Sequence, residues 1–566
     1  MAGRILILLL LLVHFSSKSH SQSLIQDDSL RLILGRDGQA IVNVPFTDHK
    51  TLDFLTREVS VLAADNKDIH VCLSPVTIEW FIRQRFSYNI IQRPAIKNFL
   101  SAADVKEAME WDSYPTYTQY DSIMHGYATD FPGLCRIDTI GTSINGRLIL
   151  VLKISDNPSI DEDEPEAFYT SSMHGDETGG YILMLRLTDY LLKNYNLNDR
   201  VKNLVDNLEI WINPLSNPDG TYRNGNILSS PTRFNANGID LNRNFPDPSV
   251  QGTPLQKENA DMITFLRKHN FVISANFHSG AEVVNYPWDR WPFRLHADDS
   301  WFNSISREYA DTVHVYSNAG YMDDLDNGVT RGSEWYIIYG GRQDFVTWEL
   351  HGREVTIEID NQYVTSPARL PLLWQYNWRS LLGYLENALF GIQGKVLNSE
   401  SNMPVEAKIF INGHDKDSSH VYSDNTTGGY VRLLSPGIWT LVFSSPGFYN
   451  EVISNVVVTE DYKTELNVNL TPIVSSIDTT NPETPVLYPN PAGTMIMAVL
   501  PADLNGTVNI RIYNSAGLLS GDYYTEIDRG IPLKVDLKEL PAGVYSIIFT
   551  NSSSKVSYRG RFIRIK

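Results

Sequence analysis

SSMHGDETGGYILMLRLTDYLL, residues 171–192 of the 566-residue chain, decides how the rest is read. Its first half sets His174 and Glu177 three residues apart, an imidazole and a carboxylate of the kind Zn²⁺ accepts. Catalytic zinc sites often combine two histidines with one carboxylate. The apolar Ala167–Tyr169 just before it reads as a short buried strand, and GGYILMLRLTDYLL after it has the spacing of a helix. A ligand pair at the carboxyl end of a strand that opens into a helix lies where α/β sheets place their binding sites. The pair alone is a weak signal, since His-x-x-Glu also arises by chance on surfaces.

A third ligand has few sources among the 13 histidines. His278 follows the compact apolar run FVISANF and precedes the polar SGAEVVNYP, so it too reads as a strand end. His174, Glu177 and His278 are the expected zinc set; the plainer alternative is a surface pair and an unrelated strand-end histidine. A water completing such a site is acidified by the metal and becomes a nucleophile. A hydrolase also needs a base. Glu358 lies in REVTIEID, where alternation puts Val355 and Ile357 on one face and Thr356 and Glu358 on the other. A carboxylate there can take the proton from water and pass it to a leaving amine. The run RFNANGIDLNRNFP adds Arg233 and Arg243, with Asn242 beside the second; each guanidinium is a fork for a carboxylate or a polarised carbonyl.

Together with NPDG, FHSGAEVVNYPWD and GGRQDF, these runs resemble the zinc metallocarboxypeptidases of the funnel-shaped carboxypeptidase family, and its regulatory N/E branch in particular, over residues 114–388. The resemblance implies an α/β catalytic domain with a mixed central sheet and one zinc ion held by His174, Glu177 and His278. It implies that Arg233 polarises the scissile carbonyl, that Asn242 and Arg243 grip the free C-terminal carboxylate of a peptide or protein, and that Glu358 is the general base. Asp289, eleven residues past His278, falls where related regulatory enzymes select C-terminal Lys or Arg, although Arg290 and Glu282 lie close in sequence. Family members also carry a mobile tyrosine, expected a few residues past the GGRQD turn. Thr347 stands there, and the neighbouring Trp348 is the aromatic left to cover the substrate. A zinc amidase acting on cell-wall peptides or small amides is the rival reading within hydrolases. A catalytically impaired peptide-binding module is the rival from another class.

The rest of the chain sets the context. MAGRILILLLLLVHF has the charge and apolar run of a secretory signal peptide, assigned to residues 1–23, and is too short for a stable membrane span. The net charge of −19 and the lack of a basic block argue against nucleic acid as a partner. Cys72 and Cys135 allow at most one disulfide, which spacing cannot assign. Residues 24–110, with IVNVPF and a helical TIEWFIRQRF, form an α+β region that resembles a propeptide able to cover the active site, with a permanently attached domain as the alternative. The catalytic domain is expected over 111–388. From 389 to 472, alternating runs between Gly, Pro and Asn turns read as a β-sandwich and resemble the transthyretin-like domain of the regulatory carboxypeptidases. A Ser/Thr/Pro-rich linker spans 473–485. Residues 486–566 then form a small β domain whose LYPNPA, NSAG and LPAGVY resemble the sorting domain of the type IX (Por) secretion system. That implies contact with the secretion machinery, export through the periplasm, and a secreted or cell-surface enzyme with no transmembrane segment in the mature chain.

Overall fold

The computed structural model describes residues 26–91, 101–248, 254–473, 484–504, 506–527 and 531–565. The expected leader and most of the linker lie outside them. The chain divides into two compact units, one over Met1–Ser444 with Asn450–Leu470 and the other over Ser445–Tyr449 with Thr471–Lys566. The architecture is multidomain, with several distinct sheets.

The first unit opens with a small α+β domain. Strands β1 (Ala40–Pro45), β2 (Ser60–Ala64), β3 (Asp68–Leu73) and β4 (Asn89–Ile91) form a sheet in the order β2-β3-β1-β4. The helix His49–Glu58 starts where the Asp48 carboxylate accepts the Thr51 amide, an N-cap that satisfies one of the free N–H groups of the first turn. Its inward residues pack with Val42, Val61, Ile69, Val71 and Phe81. Ala102, Ala108, Trp111 and Tyr114 pack in the core of the sheet domain that follows.

That domain is built on eight strands: β5 (Cys135–Thr142), β6 (Leu148–Ile154), β7 (Glu166–Ser171), β8 (Glu209–Asn213), β9 (Phe271–His278), β10 (Ala281–Tyr286), β11 (Val329–Arg331) and β12 (Arg353–Asp360). Their order is β11-β10-β12-β9-β7-β8-β6-β5. The four central strands β12, β9, β7 and β8 run parallel, while β5, β6 and β10 pair antiparallel to their neighbours, giving the expected mixed sheet. Every residue of β7 is buried, as expected for a strand covered on both faces. The glycines that follow β7 are required by close packing. A Cβ on Gly175 would lie 2.3 Å from the Gly220 backbone, and one on Gly180 would lie 2.2 Å from Ser171 Oγ. Only without side chains can the turn and the Gly179–Asn194 helix approach the sheet this closely.

Two further four-stranded sheets complete the unit, one around Gly391–Asn398 and one around Gly437–Ser444. A buried charge cluster ties them to the catalytic sheet. Asp298 is 1 % exposed and receives Arg353 Nη2 at 2.6 Å, Arg432 Nη1 at 2.9 Å and Arg432 Nη2 at 3.0 Å. His414 Nε2 lies 2.8 Å from the same carboxylate, and Arg432 also reaches Asp415 at 2.5 Å.

The second unit holds a three-stranded and a four-stranded sheet over Val486–Arg564, around a core that includes Ile496, Val508, Ile510, Ile547, Phe549 and Phe562. Among the described residues no helix is long and apolar enough to cross a membrane. No disulfide joins Cys72, in β3, to Cys135, at the start of β5.

Candidate active site

The sheet brings the separated sequence motifs together at the carboxyl ends of three neighbouring strands. His174 and Glu177 lie in the turn after β7, His278 is the last residue of β9, and Glu358 on β12 is in register with His278. His174, Glu177 and His278 offer donor atoms that all lie within 4.8 Å of one another. The Nδ1 atoms of the two histidines face each other at 3.0 Å, and the Glu177 carboxylate lies 2.8 Å from one and 2.7 Å from the other. Two imidazole nitrogens and a carboxylate converging on one point, all buried, are more acceptors than their own protons can satisfy; a cation with N and O ligands fits them.

The outward nitrogens are fixed as a metal site requires. His174 Nε2 lies 3.0 Å from Asp240 Oδ1, and His278 Nε2 lies 2.7 Å from the Asn276 side-chain amide. Such outer partners set the ring orientation and leave Nδ1 for the metal. Neither partner stands out in the sequence, although Asp240 lies in the Asn/Arg-rich run and Asn276 shares a strand face with His278. The structure thus forms one zinc site in the catalytic domain from His174, Glu177 and His278.

A narrow pocket adjoins this site. It is lined by Arg233, Asn242, Arg243, Asp289 and Glu358 together with the three metal ligands, and by Leu62, Trp335, Tyr336 and Tyr363 among others. Arg233 donates through Nη1 to Glu177 Oε1 at 3.1 Å and through Nε to Asp240 Oδ2 at 2.9 Å. Asn242 Oδ1 accepts the Arg342 amide at 2.9 Å, which leaves its NH₂ end as the donor toward the pocket. Arg243 donates to its neighbour's carbonyl at 2.9 Å, and its Nε is buried without a hydrogen bond among the described residues. One oxygen of the Glu358 carboxylate is likewise buried and unpartnered. Burial first, and then the nearby Glu177 carboxylate, push Glu358 well above the usual carboxylate range.

Asp289 also faces this pocket, 2 % exposed, with Asn285 Nδ2 at 3.1 Å and Gln343 Nε2 at 2.9 Å on its Oδ1. Burial raises it to about 6, against the lowering pull of the Asn285 hydrogen bond and the Arg243 charge. Arg290 does not neutralise it, because that guanidinium pairs with Asp247 at 3.0 Å. Glu282 turns to Arg369 at 3.3 Å.

The expected covering aromatic is placed elsewhere. Trp348 packs against Trp288 and Trp291, with ring centroids 5.9 and 5.0 Å away, and does not line the pocket. Thr347 is buried on the same helix, Arg342–Glu349. A phenol does line the pocket, from the other side of the GGRQD turn: Tyr336. This tyrosine precedes the turn by four residues and lines the pocket. Its signal in the sequence is the WY pair before Gly340, on the other side of the glycines from the expected position.

Comparison with known proteins agrees with this geometry. The zinc carboxypeptidase family model matches residues 120–380, and the model of a secretion system C-terminal sorting domain matches residues 486–563. Human carboxypeptidase D is 34 % identical over 381 residues, which cover 64 % of this chain and 27 % of that protein. This chain therefore spans about a quarter of the length of that relative. The human carboxypeptidase N catalytic chain is 32 % identical over 385 residues, covering 60 % of this chain and 82 % of that one. Among solved structures, carboxypeptidase A from Helicoverpa armigera aligns at 18 % identity with a TM-score of 0.49, covering 62 % of this chain and 97 % of that one. With a relative matched over most of its length and a zinc donor set assembled from its own motifs, this chain belongs to the zinc carboxypeptidase family.

Proposed function

We propose that the chain is a zinc-dependent exopeptidase that hydrolyses the last peptide bond of peptides or proteins. The observation that carries this reading is the convergence, in one buried pocket, of the zinc donors, the unpartnered Glu358 carboxylate oxygen and the Asn242/Arg243 pair. When bound, zinc supplies Lewis acidity toward a water and a carbonyl oxygen. The protein's own groups do the rest. Arg243 and the Asn242 amide take the substrate's terminal carboxylate and fix which bond is presented. Arg233 hydrogen-bonds the carbonyl oxygen as negative charge builds on it. Glu358, its basicity raised by burial, accepts a proton from the attacking water and returns it to the leaving amine. Tyr336, which lines the pocket, closes over the bound peptide and donates to it, the role expected at position 347.

Two tests address the metal and the pocket. Purified wild-type protein is expected to hold one zinc per chain by elemental analysis, and His278→Ala to hold almost none; full occupancy in the variant contradicts the ligand assignment. Asp289 favours substrates ending in Lys or Arg, through one charge pair in a largely dehydrated pocket. Its charge is lost as pH falls through about 6. The kcat/KM ratio for otherwise identical peptides ending in Arg and Phe should therefore shrink between about pH 7.5 and about pH 5, and Asp289→Ala should flatten it at both. A ratio near one in the wild type at the higher pH removes the basic preference and leaves the zinc chemistry untouched.

The N-terminal domain is read as a cover. Leu62 lines the pocket and the Val61 carbonyl accepts Arg243 Nη2 at 3.4 Å, so strand β2 lies over the carboxylate clamp. The space left is about 30 Å³, enough for one or two waters and too little for a peptide end. Release of the domain is the step that opens the site. The Gly391–Leu470 sheets are read as a transthyretin-like support. The sorting domain is read as the handle by which the chain passes from the periplasm to the cell surface or medium.

A further inference from the structure

Two buried side chains of the N-terminal domain reach behind the metal site. Gln39 is 5 % exposed; its Nε2 donates to Asp176 Oδ2 at 2.8 Å, and its Oε1 accepts the Arg233 amide at 2.7 Å and Thr232 Oγ1 at 3.2 Å. Asp176 stands between the ligands His174 and Glu177 in their turn, so Gln39 ties that turn to the stretch of chain that carries Arg233. Ser60 is 4 % exposed, and its Oγ donates to Asp240 Oδ2 at 2.6 Å. Asp240 is the carboxylate that orients His174 and holds Arg233. Ile41, Leu62 and Phe234, close in sequence to these residues, form a small buried apolar cluster with Cys72.

These contacts serve more than covering. A domain that only blocked a pocket needs to touch its rim, whereas Ser60 bonds the carboxylate that orients His174 and Gln39 bonds the residue standing between two ligands. We infer that Gln39 and Ser60 are positioning residues for the zinc site, so that the covered chain holds its metal more firmly than contacts of the catalytic domain alone allow. The physical reason is that outer hydrogen bonds fix ligand geometry: losing a direct partner of a ligand typically costs about tenfold or more in metal affinity. Gln39 and Ser60 act one step further out, through Asp176 and Asp240, with a smaller effect. The inference rests on the zinc reading of the site, but it concerns retention of the ion and not turnover.

The test follows zinc transfer from the full-length, zinc-loaded chain to a chromophoric chelator. Ser60→Ala and Gln39→Ala are expected to lose zinc about 3-fold faster than wild type or more, part of the roughly tenfold cost of losing a direct partner of a ligand. Ser60→Thr, which keeps the hydroxyl, should restore the wild-type rate. Glu79→Ala breaks the exposed Arg31–Glu79 pair of the same domain and should leave the rate unchanged, which separates positioning from general loosening of the domain. Where Gln39→Ala fails to fold, Gln39→Glu replaces it; the donor to Asp176 is gone and a like charge faces that carboxylate, so zinc loss should again quicken. Rates within about twofold of wild type for the Ser60→Ala and Gln39 variants overturn the inference. A wild-type chain that binds no zinc overturns the zinc reading itself.

Discussion

Glu358→Gln, in protein freed of its N-terminal domain, should keep its zinc and its fold and lose about 10²–10⁴-fold in kcat. An amide has the size of the carboxylate but cannot take a proton from water. The wild-type group is buried, with one oxygen unpartnered and its affinity for protons raised, so it is poised to accept one and then return it. Removing a buried like charge beside Glu177 should also leave the metal ligands no worse held. Pre-steady-state turnover of a dipeptide analogue, with zinc content measured on the same sample, separates the two effects. Near wild-type turnover would mean that the base lies elsewhere in the pocket.

Asp298→Ala should cost about 3–5 kcal/mol of stability, the scale seen when one partner of a buried ion pair is removed. Arg353 and Arg432 are 2 % and 0 % exposed, and of the two only Arg432 has a second carboxylate partner among the described residues, Asp415. Arg432 would keep Asp415 and the Leu433 carbonyl, while Arg353, equally cut off from water, would keep only the His351 and Ser419 carbonyls and no carboxylate partner among the described residues. Asp298 does not line the active-site pocket, so zinc content at low temperature should not change. Urea unfolding followed by tryptophan fluorescence gives the difference; a change under about 1 kcal/mol would place the cluster among weakly coupled surface pairs.

Why some of this is legible in the sequence and some is not follows from the physics of each part. The buried strands β7, β9 and β12 announce themselves through continuous or alternating apolar residues, and strand ends are where ligands gather. His174, Glu177, His278 and Glu358 can therefore be placed from the chain alone. The parallel order of those strands is not legible, because register is a long-range choice. Asp240 and Asn276 act on the metal only through the histidines they hold, and nothing in their own neighbourhoods marks a hydrogen bond to a particular ring. Trp348 reads as a cover because it is large and near the expected turn, yet it is half-buried and packs against Trp288 and Trp291. Tyr336 reaches the pocket from the opposite side of a glycine turn, a reversal that spacing alone does not give. The N-terminal contacts are the least legible. That Gln39, Ser60 and Leu62 meet residues up to 194 positions away depends on how distant parts of the chain come together.

The most direct test uses one peptide in two forms, with a free C-terminal carboxylate and with that carboxylate capped as an amide, incubated with the protein after release of the N-terminal domain. The account predicts that the free form loses single residues from its C-terminus, that the amide is cut slower by a factor corresponding to about 2–5 kcal/mol, and that Arg243→Ala erases the difference between them. Equal cleavage of both forms by the wild type, or cuts within the chain, would contradict an exopeptidase and favour a zinc amidase built on the same metal site.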